Sequence, residues 1–234
     1  NKKTKPSKYV NCDYDSGGYK ILRTTGVKVI FRYPKFRYRP SQADAMHIDL
    51  WINGTNFLCD AGSYSYNSIP DLSGYFNGTV SHNTVQFDDR DQMPKLGRFL
   101  FGSWLKTKQV SPIVVSDSHL SSSASYRDFR GAEHFRSVNL HESSLSILDK
   151  VKGFKKKAVI RWRLTNSEWS LENTKNAVQV SNGLNKLIIT ADVPILRADI
   201  VFGWKSLFYM QKQSVPVLEA EIGLAGTIST EVSW

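Results

Sequence analysis

Short alternations of apolar and polar residues recur along the chain. They run through residues 27–33 (VKVIFRY), 46–52 (MHIDLWI), 82–87 (HNTVQF), 97–106 (GRFLFGSWLK), 144–151 (SLSILDKV), 157–165 (KAVIRWRLT), 185–191 (NKLIITA) and 226–234 (GTISTEVSW). A period of two with β-branched and aromatic enrichment reads as strand. Between these segments sit Asn53-Gly54, Asn182-Gly183, Ser16-Gly17-Gly18 and the Ser-rich 121–125, all read as turns. No window of eleven or more residues carries a 3.6-residue period. The pattern predicts an all-β fold, a large antiparallel β-sandwich over residues 17–234 preceded by a loose basic tail, residues 1–16.

The Asn53-Gly54 dipeptide suits a two-residue type I′ turn, which would fix the register of the hairpin around it. Leu50 then faces Phe57 and Ile48 faces Cys59, with Ile48, Leu50, Ile52, Phe57 and Cys59 on the core side. His47, Asp49, Trp51 and Asp60 share the other side. His47 and Asp60 stand directly opposed, with Cβ atoms roughly 4.5–5.5 Å apart. That pair is either the start of a site or part of a wet sheet face.

Composition narrows the classes little. The 234 residues are 41% hydrophobic and 12% aromatic, with no apolar run long enough to cross a bilayer, so membrane insertion is not expected. The chain opens on Asn1 rather than Met and carries no signal peptide, which reads as a mature form or a fragment. Two cysteines are too few for a disulfide framework, and Cys59 reads as core. Charge changes the picture more: 31 basic against 21 acidic residues give +10 and a pI near 9.5. Such a chain attracts polyanions. The densest basic run, FKKKAVIRWR at 154–163, reads as a strand with one solvated face and lacks the interleaving of an RNA binder. Nucleic acid, an acidic lipid surface and an acidic polysaccharide all satisfy this charge.

Four blocks in order carry more specific information. They are RPSQADAMHIDLWINGTNFLCDAGSYSYN, YFNGTVSHNTVQFDDRDQM, GRFLFGSWLK and YRDFRGAEHFRSVNLHESSLSILDKVKG. With their Asp-Ala-Gly-x-Tyr and His-Asn-Thr-Val signatures, they resemble the C-terminal β-sandwich of the heparinase II/III polysaccharide lyases. The resemblance implies an acidic polysaccharide as partner, with no nucleic acid, and β-elimination on its uronic-acid units, in a cleft between this sandwich and an N-terminal helical toroid that would precede these residues. It further implies a periplasmic or secreted location. That chemistry needs a neutralised carboxylate, a base for the C5 proton and an acid for the leaving oxygen. The family's base Tyr belongs to the toroid, so this chain alone is expected to be inactive.

Residue by residue, the resemblance transfers incompletely. Where the family often shows His-x-His-x-Asp, this chain has Pro40-Ser41-Gln42-Ala43-Asp44. Asp60 and His82 match metal-ligand positions, and Gln42 stands where the third ligand would be. An oxygen-preferring ion such as calcium or manganese tolerates that amide better than zinc. Hairpin geometry offers His47 as a substitute imidazole; the alternative is a metal-free, hydrogen-bonded cluster. His47 and His82 are the candidate catalytic histidines. Candidate substrate contacts are Arg39, Gln42, Tyr64, Tyr66, Arg90, Arg98, His134 and Arg136, with Arg37 beside the first. Tyr64 and Tyr66 read equally as aromatic packing at a sandwich corner. A binding module without catalysis remains the second reading.

Overall fold

The computed structural model describes residues 11–67, 70–98 and 100–234. Its strands form antiparallel sheets, as the alternation predicts. A five-stranded meander runs Cys12–Tyr14, Tyr19–Thr24, Val27–Arg32, Ile48–Ile52 and Thr55–Leu58. Its first strand falls inside the segment expected to be a loose tail, of which residues 1–10 lie outside the described residues. A nine-stranded sheet has at its centre Leu120–Arg127, Glu133–Leu140, Ser144–Lys152, Gly226–Ser233 and Lys186–Ala191, in that order. A four-stranded sheet orders Ile195–Lys205, Gln213–Ile222, Ala158–Arg163 and Val85–Phe87.

The two smaller sheets meet edge to edge. Leu58 bridges Leu164, and the Cys59 N–H donates to the Arg163 carbonyl at 2.9 Å. The nine-stranded sheet packs against this junction. Its alternate residues Val138, Leu140, Leu145 and Ile147 share one buried core with Trp162, Leu218, Phe31 and Leu50. The Trp162 indole N–H donates across the layers to Thr230 Oγ1 at 3.1 Å, which satisfies the only polar atom that burying this ring brings inside.

Several segments depart from the sequence reading for identifiable reasons. The Ser-rich 121–125 is no turn: it lies in Leu120–Arg127, where small hydroxyls alternate between core and outer face. Residues 97–106 break into the ends of Lys95–Gly97, Leu100–Phe101 and Lys106–Val110. The basic run has no solvated strand face. Every residue of Ala158–Arg163 is buried, because neighbouring strands and the opposite sheet cover both sides. Arg161 is matched there by Glu219 at 2.6 Å and Gln86 at 2.8 Å. The helix Pro70–Asn77 has eight residues and falls below the length at which a period is readable. Gln213–Ile222 carries Pro216 within its span, and proline argues against a strand in any sequence-based reading.

The largest correction concerns His134 and Arg136. Both were expected to face substrate, yet their side chains, like that of Asp149, have no exposed surface. Arg136 forms a two-pronged pair with Asp149 at 2.6 and 2.9 Å, and His134 Nε2 lies 2.6 Å from the same carboxylate. Alternation puts them on the core face of their strand. Burial disfavours the His134 imidazolium and lowers its pKa, although Asp149 opposes this. Burial would raise Asp149, but the Arg136 charge and the His134 hydrogen bond hold it below the usual carboxylate range.

Both shifts act in the same direction on stability. Each folded-state pKa is depressed, so each contribution is present above the unfolded value and is lost as pH falls. The melting temperature is expected to decline from about pH 6.5 downward as His134 and then Asp149 take protons. Asp149→Ala, which strands a buried guanidinium, should cost about 3–5 kcal/mol in urea unfolding at neutral pH. A cost below about 1 kcal/mol would show that the cluster carries little of the stability.

Candidate functional site

Three short segments converge at the junction of the smaller sheets. His47 precedes the strand Ile48–Ile52, and Asp60 follows the strand Thr55–Leu58. His82 ends the 3₁₀ turn Thr79–Ser81. The hairpin turn has positive φ at Asn53 (48°) and Gly54 (83°), as type I′ requires. A bulge between Leu50 and Trp51 then shifts the pairing, so Leu50 faces Leu58 rather than Phe57. Phe57, Leu58 and Cys59 are consequently all buried. His47 and Asp60 still come together, although the simple register no longer accounts for it.

The Asp-Ala-Gly signature has a local cause. Asp60 Oδ1 accepts the Gly62 N–H at 2.6 Å, closing a tight turn. Gly62 sits at φ 79°, where a Cβ would lie 2.1 Å from the Ser206 carbonyl oxygen. A side chain here would clash as well as strain the backbone.

His82 Nδ1 lies 2.7 Å from Asp60 Oδ2, and His47 Nε2 lies 3.6 Å from the same oxygen. The two imidazoles stand edge to face, with centroids 5.6 Å apart. The Asn83 backbone N–H donates to His47 Nδ1 at 3.0 Å, which leaves the ring proton on Nε2, toward Asp60. Burial drives the His47 pKa down to about 4, with Asp60 opposing only in part. Burial alone would also lower His82, but the charge and hydrogen bond of Asp60 outweigh it and the pKa is raised. Burial would raise Asp60, but His82 holds it well below the carboxylate range. The arrangement favours a His82 imidazolium paired with the Asp60 carboxylate beside a neutral His47.

Among the described residues, these three form a group able to offer ligand atoms within 4.8 Å of one another. Asp60 and His82 fit a divalent cation. Asp60 keeps 31% of its side-chain surface open, and an ion can replace the proton between the two residues. His47 fits poorly, because its Nδ1 is occupied by the Asn83 N–H and its Nε2 must keep the proton. Gln42 Oε1 is buried with no hydrogen-bond partner among the described residues, and its amide nitrogen lies 3.5 Å from Ser63 Oγ. Ligation by an amide oxygen suits calcium or manganese.

The other expected contacts fall into separate groups. Gln42, Tyr66 and Arg98 line one cleft of about 120 Å³ with Ser41, Ser63 and Phe76. Tyr64 lies beside them with its ring stacked on Phe76 at 5.4 Å, so it packs as a corner aromatic. Arg39, like Arg37, is exposed on the loop before Gln42. Arg90 is taken up by Asp128 at 2.6 Å and does not join this cleft. The His47 and His82 Nε2 atoms are inaccessible and make no hydrogen bond among the described residues, while both rings approach Asp60, so both histidines are positioned to orient Asp60. The sequence reading missed Asn83, although it quoted the signature that contains it. The Asn83 side chain donates to the Ile48 and Cys59 carbonyls at 2.8 and 3.2 Å and accepts the Arg163 N–H at 2.6 Å.

An antiparallel sandwich with a His–Asp–His cluster at its sheet junction defines the class. The chain belongs to the family described as Heparinase II/III-like, C-terminal, which matches residues 11–213. Heparinase III, the BT4657 gene product, superposes with a TM-score of 0.78 at 17% identity, covering 97% of this chain and 36% of that protein. The heparan sulfate lyase HepC from Pedobacter heparinus gives 0.77 at 18%, covering 99% of this chain and 37% of HepC. At this identity the likeness establishes the fold, and this chain spans little more than a third of either protein. No curated protein matches the sequence.

In metal-free protein, Asp60→Asn removes the two largest influences that oppose burial and leaves only the smaller one of Asp44, and the His82 pKa should drop from above to below its ordinary value of about 6.5. Histidine-ring NMR reads this directly. The His82 part of the pair's contribution to stability is full below that ordinary value and is lost as pH rises through the folded one, whereas the Asp60 part is present above the ordinary carboxylate value and is lost as pH falls. An unmoved His82 would show that Asp60 does not hold its proton.

Proposed function

We propose that this chain is the sandwich wall of a polysaccharide lyase that cleaves uronic-acid glycans by β-elimination. The observation that carries the reading is the Asp60–His82 pair, with Asp60 partly open to solvent, followed in the chain by Ser63 and Tyr66, which line a cleft with Gln42 and Arg98. Arg98 is exposed and, among the described residues, makes only long contacts, at 3.4 Å, with Tyr66 and Asn67. Its guanidinium is therefore free to take a substrate carboxylate, the group whose charge must be neutralised before the C5 proton can leave. Arg39 would extend the cationic lip. The base comes from the part of the longer protein that this chain does not span, a helical toroid by family resemblance. Asp60 and His82, with Gln42 as a third donor, would hold one divalent cation, whose charge stiffens the wall and favours anionic substrate.

Among the described residues, no helix is long and apolar enough to cross a membrane, which leaves strands untested. A periplasmic or secreted location is part of the proposal. A non-catalytic glycan-binding wall is the second reading, favoured by Pro40 and Gln42 at positions where the family often carries histidines.

Elemental analysis of chelator-free protein should find about one equivalent of a divalent metal, lost in Asp60→Ala; none in either removes the metal. In the full-length protein, Arg98→Ala should raise KM for an acidic glycan about tenfold, as loss of a charge-assisted contact predicts. The readout is the ultraviolet absorbance of the unsaturated uronate product. An unchanged KM excludes Arg98, and no unsaturated product from the wild type favours the binding wall.

A further inference from the structure

The outer face of the nine-stranded sheet carries a groove that none of the chemistry above uses. Its floor is a row running across five strands in register: Gln109, Ser125, Phe135, Lys150 and Thr227. Four inter-strand spacings make this row about 19 Å long. The groove encloses about 650 Å³. It lies on the opposite side of the sheet from the His–Asp cluster. Phe135 points outward, whereas its neighbours His134 and Arg136 point into the core.

Charge along one side of the groove is strongly unbalanced. Glu133 is approached by Lys108 at 3.2 Å, Lys152 at 3.5 Å and Arg127 at 3.9 Å, so one carboxylate answers three cations. Lys150 adds a fourth, 6.0 Å from the centre of the Phe135 ring. Of the Ser-rich stretch 121–125, Ser125 lines the groove, and its short side chain keeps the floor low between the longer ones.

We propose that this groove is a second binding site for an acidic polysaccharide chain, separate from the cleft. The lysines pair with its sulfates or carboxylates, Phe135 forms a platform for a sugar face, and Gln109, Ser125 and Thr227 bond its hydroxyls. A nucleic acid fits less well, because Glu133 would face a continuous phosphate backbone and only one ring is available for stacking. The proposal rests on the groove's own charge and shape, and shares with the cleft reading only the class of ligand.

The test uses the 234-residue chain and a heparin-derived hexasaccharide, with titration calorimetry and amide NMR mapping. Binding should shift the amides of Ser125, Phe135 and Thr227. The double variant Lys150→Ala/Lys152→Ala should weaken it about tenfold with an unchanged melting temperature. Arg98→Ala should leave these shifts intact. Shifts confined to Gln42, Ser63 and Tyr66 would overturn the groove and leave the cleft reading standing, whereas shifts confined to the groove would do the reverse. Unchanged affinity in the double variant, no binding at all, or equal competition by a single-stranded DNA of the same charge would also overturn the proposal.

Discussion

The buried amide of Asn83 is the constraint on which the rest of the architecture depends. Its side chain donates to the five-stranded sheet at Ile48 and to the chain following it at Cys59. It accepts from the four-stranded sheet at Arg163. Its backbone carbonyl receives the Arg136 guanidinium of the nine-stranded sheet at 2.8 Å, and the same nitrogen also reaches the Met46 carbonyl. Three sheets thus meet at one residue with its polar groups matched. In a dry interior such matching decides whether the junction holds or opens, since each unmatched group costs about 1–3 kcal/mol.

The candidate site is a product of that junction. Met46 and Asn83 flank His47 and His82, so the Arg136–Asp149 pair fixes from behind the backbone that presents both imidazoles. The Asn83 N–H then sets the His47 tautomer, and Asp60 is left as the one member of the cluster open to solvent. Preorganisation of this kind removes the need to order the wall when a ligand arrives. It also accounts for the burial of catalytic-looking histidines: they set the charge and position of the partly open Asp60 carboxylate.

Much of the fold was legible because alternation survives where one sheet face is wet, as in Ser144–Lys152 and Gly226–Ser233. It failed where chemistry and burial disagree. His134 and Arg136 alternate faultlessly, yet the family resemblance read them as substrate contacts. Their partner Asp149 lies on the next strand, directly opposite Arg136 and two residues from the position opposite His134, and pairing across strands is invisible along one. Pro216 hid a strand for the opposite reason, since a local rule was overridden by tertiary packing. At the site, Asp60 and His82 were legible as motif residues and Gln42 as a departure. The bulge that reset the hairpin, and the amide that ties it to two other sheets, depend on contacts between segments far apart in the chain.

Native-state hydrogen exchange is the most direct test of this account. The amides of Ile48, Cys59, Asn83 and Arg163 each bond across a sheet junction. If the junction is the keystone, all four exchange only through global unfolding, with the denaturant dependence of a central-sheet amide such as Val138. Exchange of these four at a lower free energy than Val138 would mean that the junction opens by itself, and would contradict the claim that the site is built on it.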